Sequence, residues 1–519
     1  MIGFLLKALA LNEVRLRMRR VSTIVAVLAV VAISWAMIVD PAGGEALIVV
    51  GTVRVLYTSS ALALGSASLA SILFGLGGFY LVRGRIAEDI RTGAGSVIGA
   101  TPVNNALFLA GRWLGAVAYL GLLLLTLMGT IMLCHALRGD GPIEPLVYLS
   151  SYCLILLPLV FFAASCAILF DSWAPLMGKG GDLLYFLLWA AQISMVAMMQ
   201  TTGDVGSRWM VFDFTGNTTT FATLAAYFDT THLSLGAGSF DPARAPLMLP
   251  AAPWSMPLVL MRCVSGLLAT LPLAAAVLVF HRFSPDKVKV ARSRQRRSPL
   301  AMLDGWLRPL SRLVQPLLAL AARWPGIGGQ VLADVALTLI AAPSAIAVLM
   351  VVSGASLVVK AGALAPLLMG CVAYWGILAS DISTRDFQAG AEDMTGAVGG
   401  GSARRYLRQY AASVVLGVMF MGVIAVRFAL NDPVRGAAVA VGISALGAVA
   451  NLLGRCSRTP RTFLSLFLFG LYVAVNAIRI PMIDAVGFNG AANVHSVLAY
   501  LVIGIAALTA GYVWNHRGK

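Results

Sequence analysis

The sequence predicts an all-α polytopic membrane protein with twelve transmembrane helices in a parallel six-plus-six duplication. Three observations carry that prediction: a composition too apolar for water, a succession of apolar runs of spanning length, and basic residues gathered in alternate connections. Of 519 residues, 59% are hydrophobic and 12% charged, against about 25% charged in an ordinary globular domain. A water-soluble fold, disorder and a coiled coil are excluded on that ground. Twelve crossings of about 20 residues each use roughly 240 residues, which leaves loops and one linker but no large soluble domain. The 52 glycines and 22 prolines are compatible with this, because membrane helices carry both more often than soluble ones.

The apolar runs fall at 21–39, 57–82, 106–136, 146–170, 183–200 and 258–280, then at 335–359, 361–379, 408–430, 434–453, 462–479 and 495–514. Three regions follow: a first six-helix half at 1–280, a basic linker at 281–330 and a second half at 331–519. Residues 1–20 place Arg15, Arg17, Arg19 and Arg20 after a short apolar stretch, the reverse of a secretory signal. They read as an interfacial amphipathic helix with its arginines near anionic lipid. With the N-terminus inside and the spans alternating, 29 of the 38 lysines and arginines lie on the inner side. Basic residues mark cytoplasmic loops, so both termini are expected in the cytoplasm, in the plasma (inner) membrane of a bacterium.

The net charge of +16 is thereby a property of inner loops, with membrane lipid as the expected partner. The linker carries Arg282, Lys287, Lys289, Arg292, Arg294, Arg296 and Arg297, and its apolar stretch near 307–322 reads as a second interfacial helix. It lacks the aromatic interleaving and fold of a nucleic-acid site, so no nucleic-acid partner is expected. The six cysteines sit in apolar runs or, for Cys456, beside Arg455, with no spacing of a disulfide framework or metal site.

Several matches between the halves indicate an internal repeat. Arg208, Asp213 and Gly216 before the sixth run recur at identical spacing as Arg479, Asp484 and Gly487 before the twelfth. Asp89, Gly93, Gly99, Ala100 and Ala106 align without gaps to Asp386, Gly390, Gly396, Ala397 and Ala403. Six spans per half give both units one orientation, a parallel repeat. The first half carries an external insertion around Asn217 to Pro253.

Catalytic signatures are missing. There is no Walker A pattern, GxSxG, HExxH or cysteine–histidine cluster, so no catalytic residue, metal ligand or resident cofactor is expected. Ion-driven transporters usually carry carboxylates or histidines inside their spans, and here the apolar runs hold almost no acids. Gln192, Asn451 and Asn476 are neutral; they serve helix–helix hydrogen bonds or substrate contact. An ion-coupled secondary transporter is the alternative that an intramembrane ionisable site would revive.

The inner loop after the second run reads Glu88-Asp89-Ile90-Arg91-Thr92-Gly93, then Gly99-Ala100-Thr101-Pro102-Val103. Thr101-Pro102 reads as a helix start, with Thr as cap and Pro in the first turn. The acid/arginine-Gly-Thr segment, with Ala-Thr-Pro nine residues past the glycine, resembles the permeases of ABC transporters in the type-two exporter class. The second half keeps Asp386 and Gly390, has Asp393 where that family often has an acid, and departs from it with Val398-Gly399 in place of Thr-Pro.

The resemblance implies a fused, two-half exporter permease. Each inner loop would form a coupling helix docked on a separate ABC ATPase, two copies per chain, and that partner would bind ATP and Mg. Glu88, Asp89, Arg91, Gly93, Thr101, Pro102, Asp386, Gly390 and Asp393 would couple to the ATPase. The same residues also suit an ordinary inner loop with a capped helix. The Asp-x2-Gly loops resemble the family's external re-entrant segment. Arg208 with Asp213 and Gly216, and Arg479 with Asp484 and Gly487, fit an external gate or a structural turn held by an ion pair. The family implies a path lined by spans two, five, eight and eleven, which brings Phe79, Trp189, Gln192, Met195 and Met198 to it. An apolar lining suits a lipid-like, peptide-like or drug-like cargo, and any lipid-facing helix looks the same.

Overall fold

The computed structural model describes residues 2–202, 208–230, 232–251, 254–280, 304–397, 400–476 and 480–517. Most of the basic linker, 281–303, lies outside the described residues. The chain forms two compact units, Met1–Gln295 and Arg296–Lys519.

In the first unit, α1 (Ile2–Met18) and α2 (Val21–Met37) precede a strand pair, β1 (Glu45–Val50) and β2 (Val53–Arg54). Then come α3 (Ser59–Val82), two short helices α4 (Arg85–Thr92) and α5 (Ala94–Gly99), and the long α6 (Asn105–Arg138) and α7 (Pro145–Ser172). The unit closes with α8 (Lys179–Thr202), α9 (Asn217–Phe228), β3 (Leu233–Ser239), α10 (Met256–Leu268) and α11 (Leu271–Val279). Helix α3 is central and buried along nearly its whole length. Its Ser, Ala and Gly residues allow the close backbone approach on which membrane helix packing depends. Thr58 caps its start by accepting from the Ala61 N–H, and the chain leaves the helix direction at Gly84.

The second unit holds α12 (Gln315–Arg323), α13 (Ile327–Ala341), α14 (Pro343–Val358), α15 (Leu364–Ile382), α16 (Arg385–Gln388) and α17 (Glu392–Gly396). Four long helices complete it: α18 (Gly401–Asn431), α19 (Pro433–Ser457), α20 (Arg461–Asn476) and α21 (Val494–Arg517). Asp432 starts α19 by accepting from the Val434 and Arg435 N–H groups, with Pro433 in the first turn. That combination leaves fewer orphan donors at a helix N-terminus.

Among the described residues, nine helices are long and apolar enough to cross a membrane, and up to eleven if each of two bent pairs is one span. The expectation of twelve crossings differs from this at three places. The run at 21–39 is α2, which forms one of the bent pairs with α1. The run at 335–359 is α13 and α14, bent by 101° at Pro343. Proline lacks an N–H and disfavours helical geometry in the residue before it, and Ala342 lies at φ −131°, ψ 80°. The run at 462–479 is helical over 16 residues as α20; that length, about 24 Å at 1.5 Å per residue, is short of a straight crossing.

The all-α expectation also missed a sheet. β1 pairs antiparallel with β2 and with β3, in the order β2-β1-β3. The segment after α2 is thus joined to the insertion of the first half.

The N-terminal helix packs against the protein. Leu9 and Glu13 of α1 lie over Gly111 and Gly115 of α6, where added Cβ atoms would stand 2.7 Å from Leu9 Cβ and 2.5 Å from Glu13 Cβ. Arg17, expected at anionic lipid, is buried. Its guanidinium donates to the Leu81 and Val82 carbonyls at 3.0 and 2.9 Å and pairs with Glu13 at 2.6 Å.

Candidate functional site

The loop after α3 is built around acids that face inward. Glu88, in the first turn of α4, pairs with Arg20 and, at 2.8 Å, with Arg85. Arg85 also approaches Glu13 at 3.5 Å. Asp89 is 3% exposed, and its carboxylate accepts a hydrogen bond from the Arg112 guanidinium of α6. Asp89, expected at a partner protein, fastens the loop to α6. Carboxylate–guanidinium hydrogen bonds are roughly twice as strong as neutral ones, and burial makes them costly to break singly. The side chain of Arg91 lies outside those described.

Gly93 ends α4 at φ 76°, a left-handed conformation that costs glycine nothing. Helix α5 then ends before Thr101-Pro102, correcting the prediction that this pair opens a helix. The Thr101 hydroxyl donates back to the Ile98 carbonyl at 2.7 Å. Pro102 is exposed in the non-helical stretch beyond, and α6 is instead capped by Asn104, which accepts from the Ala106 N–H at 3.0 Å. The residue before a proline is pushed out of the helical region, so here the pair stops a helix.

The second unit repeats the local plan with shorter pieces. Asp386 lies 3.6 Å from Arg408 and accepts from Gln409 Nε2 at 3.4 Å. Arg408 is held in turn by Asp334 at 2.8 Å. Gly390 takes φ 67°. Helices α16 and α17 have 4 and 5 residues, where α4 and α5 have 8 and 6. Val398 and Gly399 lie outside the described residues. Asp393 is exposed. Its neighbour Glu392 pairs with Arg455 at 2.7 Å and Arg405 at 3.3 Å, tying α17 to α18 and α19. Burial alone would raise the Glu392 carboxyl; the Arg455 and Arg405 guanidiniums outweigh it and hold the group below its ordinary value. In the second short helix of each loop one apolar side chain stands bare: Val97 in α5, 70% exposed, and Met394 in α17, 77% exposed. They occupy equivalent positions, eight residues after Asp89 and Asp386.

The residues expected along a transport path are mostly engaged within the first unit. Phe79 is fully buried and stacks on Tyr185 with ring centroids 3.6 Å apart. Trp189 is buried against Gly75 and donates to the Ile72 carbonyl at 3.0 Å. Gln192 accepts from the Phe214 N–H at 2.9 Å. Met195 is half-buried and Met198 exposed. Asp182, Tyr185, Trp189 and Gln192 follow a helical spacing that puts them on one face of α8. All four are bonded: Asp182 to Arg83 at 2.5 Å, Tyr185 to the Gly75 carbonyl at 2.6 Å, and the other two as above.

The two Asp-x2-Gly loops share their turn. Asp213 Oδ1 accepts from the Gly216 N–H at 3.1 Å and Oδ2 from the Thr218 N–H at 2.7 Å. Asp484 Oδ1 accepts from the Val486 and Phe488 N–H groups, and Oδ2 from the Asn489 N–H at 2.8 Å. Gly216 and Gly487 take φ 75° and 71°. Arg479 and the side chain of Arg208 lie outside those described, and different arginines hold the loops. Arg262 donates to the Asp213 carbonyl at 2.5 Å and to those of Leu154 and Ile155 at 2.9 and 3.0 Å. Arg435 donates to the Gly487 and Phe488 carbonyls at 2.7 and 2.8 Å.

Sequence reasoning missed Arg83, Asp171, which faces Arg83 at 3.7 Å and accepts from the Gly84 N–H at 2.7 Å, Asp182, Arg262, Glu392 and Arg435. Arg262 carried a signal, a lone cation inside an apolar run; Arg83, Asp171 and Asp182 flank such runs. Among the described residues no cluster of three or more potential metal ligands occurs. Comparison of the chain with protein-family models, curated proteins and solved structures returns no match.

Proposed function

We propose that this chain is the membrane permease of an ATP-driven ABC exporter, with two six-helix halves in one polypeptide. A separate ABC ATPase, two copies per chain, docks on the loops at 85–100 and 385–397 and binds the ATP and Mg. Both termini lie in the cytoplasm of a bacterium, and the cargo is lipid-like, peptide-like or drug-like.

The observation that carries this reading is the matched pair of loops. Each has an acid fastened inward, Asp89 to Arg112 and Asp386 to Arg408. Each has a left-handed glycine four residues on and then a short helix with one bare apolar side chain, Val97 or Met394. Two similar knobs on rigid mounts suit two copies of one partner, since a bare apolar side chain gains most from a desolvated pocket. Asp89 and Asp386 then act as positioning residues behind the contact.

The test is co-purification. The affinity-purified chain is expected to bring down an ATPase at two copies per chain, and Val97→Asp with Met394→Asp to release it. A homogeneous, transport-competent chain without ATPase overturns the reading. Uptake driven by a pH gradient in the same vesicles would establish ion coupling instead.

A further inference from the structure

We infer that the outer face of α1 is a binding surface for anionic lipid headgroups, and that those headgroups compete with Glu88 for Arg20. The inner face of α1 is fixed by Gly111 and Gly115 of α6 and by the Arg17 bonds to the end of α3. What remains outward is a stripe of Phe4, Lys7, Leu11, Arg15 and Met18, followed by Arg19 and Arg20, all exposed. Phe4 is 78% exposed. The one acid of α1, Glu13, is buried on the other side, so the outward face carries cations and apolar side chains with the neutral Asn12 and no acid. That combination suits the level where headgroup phosphates lie above acyl chains.

Two further observations name the occupant. Helix α2, which follows directly, exposes Ile24, Val25, Leu28 and Trp35, apolar side chains of the kind that meet lipid chains. And among the described residues Lys7, Arg15 and Arg19 take part in no ion pair, while Arg20 has one, with Glu88 of α4. Both members of that pair are partly exposed, at 41% and 31%, so a phosphate can reach the guanidinium without unpacking the helix. Arginine binds phosphate as readily as carboxylate, in the same two-pronged geometry. A headgroup on Arg20 leaves Glu88 with Arg85 and loosens α4, while Asp89 stays fastened to Arg112. Lipid charge at the membrane surface thus sets the order of the loop that carries Val97. This requires membrane placement of the chain but no particular partner, and its readout needs neither ATPase nor nucleotide.

The experiment is hydrogen exchange on the intact chain in nanodiscs of phosphatidylcholine, with and without 30% phosphatidylglycerol. Exchange across residues 85–99 is expected to rise at least threefold with the anionic lipid, while residues 385–396 stay unchanged. The triple variant Lys7→Gln, Arg15→Gln, Arg19→Gln is expected to lose the response. In Glu88→Gln exchange is expected to be high in both lipids, which keeps the test decisive if the triple variant fails to fold. The inference is overturned if wild type shows no rise, if both loops rise together, if Glu88→Gln still responds, or if inorganic phosphate added to the neutral nanodiscs gives the same rise.

Discussion

Asp89 and Arg112 stand 23 residues apart and meet across a glycine-ended helix and a proline break, as a buried ion pair. Asp386 and Gln409 have the same separation of 23 residues and also meet, with Arg408 beside them as the cation. The contact is therefore a shared feature of the two loops, tighter in the first than in the second.

Charge reversal at this contact should separate the loops. Asp89→Arg puts two guanidiniums together where water is scarce, and breaking a buried pair costs about 3–5 kcal/mol. Asp386→Arg should cost less, because its partners are more exposed and looser. The double exchange Asp89→Arg with Arg112→Asp is expected to recover part of the loss. Thermal unfolding of the detergent-purified variants measures this; equal melting temperatures for Asp89→Arg and Asp386→Arg would contradict it.

The α1 groove gives a second expectation. Leucine at Gly115 must displace Glu13, and overpacking of a fitted contact costs typically 1–3 kcal/mol. Gly115→Leu should expose Arg17 to trypsin several-fold faster than in wild type, whereas Gly121→Leu, at an open position, should not. Unchanged cleavage at Arg17 would show that α1 does not need the groove.

Glu392 sets a pH dependence. Its carboxyl is depressed in the folded chain relative to an ordinary value of 4.5, so near that pH the unfolded state binds more protons. Stability supplied by Glu392 is complete above the ordinary value and is lost as pH falls through the lower folded one. The difference in melting temperature between wild type and Glu392→Gln should shrink steadily below about pH 4.5. A constant difference between pH 3 and 7 would remove the carboxylate from this role.

At the Asp-x2-Gly loops, removal of Arg262 should be costly. Arg262→Met strands several buried carbonyls, each worth about 1–3 kcal/mol when unsatisfied. A large loss of folded protein is expected for Arg262→Met and Arg435→Met, read by monodispersity after extraction. Wild-type yield and monodispersity for both variants would remove these arginines from that role.

Topology follows from the proposed orientation. In a cysteine-free background, an impermeant thiol reagent outside should label Ala243→Cys and leave Lys287→Cys, Val97→Cys and Met394→Cys unmodified in sealed cells. Labelling of Lys287→Cys from outside would break the six-plus-six arrangement.

What the sequence made legible is what hydropathy and local spacing control. The apolar runs mark the long helices, because desolvating a backbone requires closing its hydrogen bonds within the helix. Asp89 with Gly93 and Asp386 with Gly390 could be aligned because the turn is local. The partners of the arginines could not be read. Arg208 sits five residues before Asp213, yet Arg262 holds that loop from 49 residues away, and a long side chain leaves no periodic trace of where it reaches. The sheet was hidden for a similar reason. Glu45–Val50 is an apolar run too short to span, and its partner Leu233–Ser239 lies far downstream and is rich in glycine. Thr101-Pro102 shows the ambiguity of a local signal, since one pair can open a helix or stop one and the capping Asn104 decides which.

The four bonds along one face of α8 have a kinetic consequence. From Asp182 to Gln192 the helix advances about 15 Å and successive residues turn by about 100°. A rotation by one residue would therefore dislodge Arg83, the Gly75 and Ile72 carbonyls and the Phe214 N–H all at once. Turning α8 about its own axis leaves no step in which some of these bonds persist, so a rearrangement that requires that turn should be all-or-none, with a lag-free single-exponential time course rather than a graded drift.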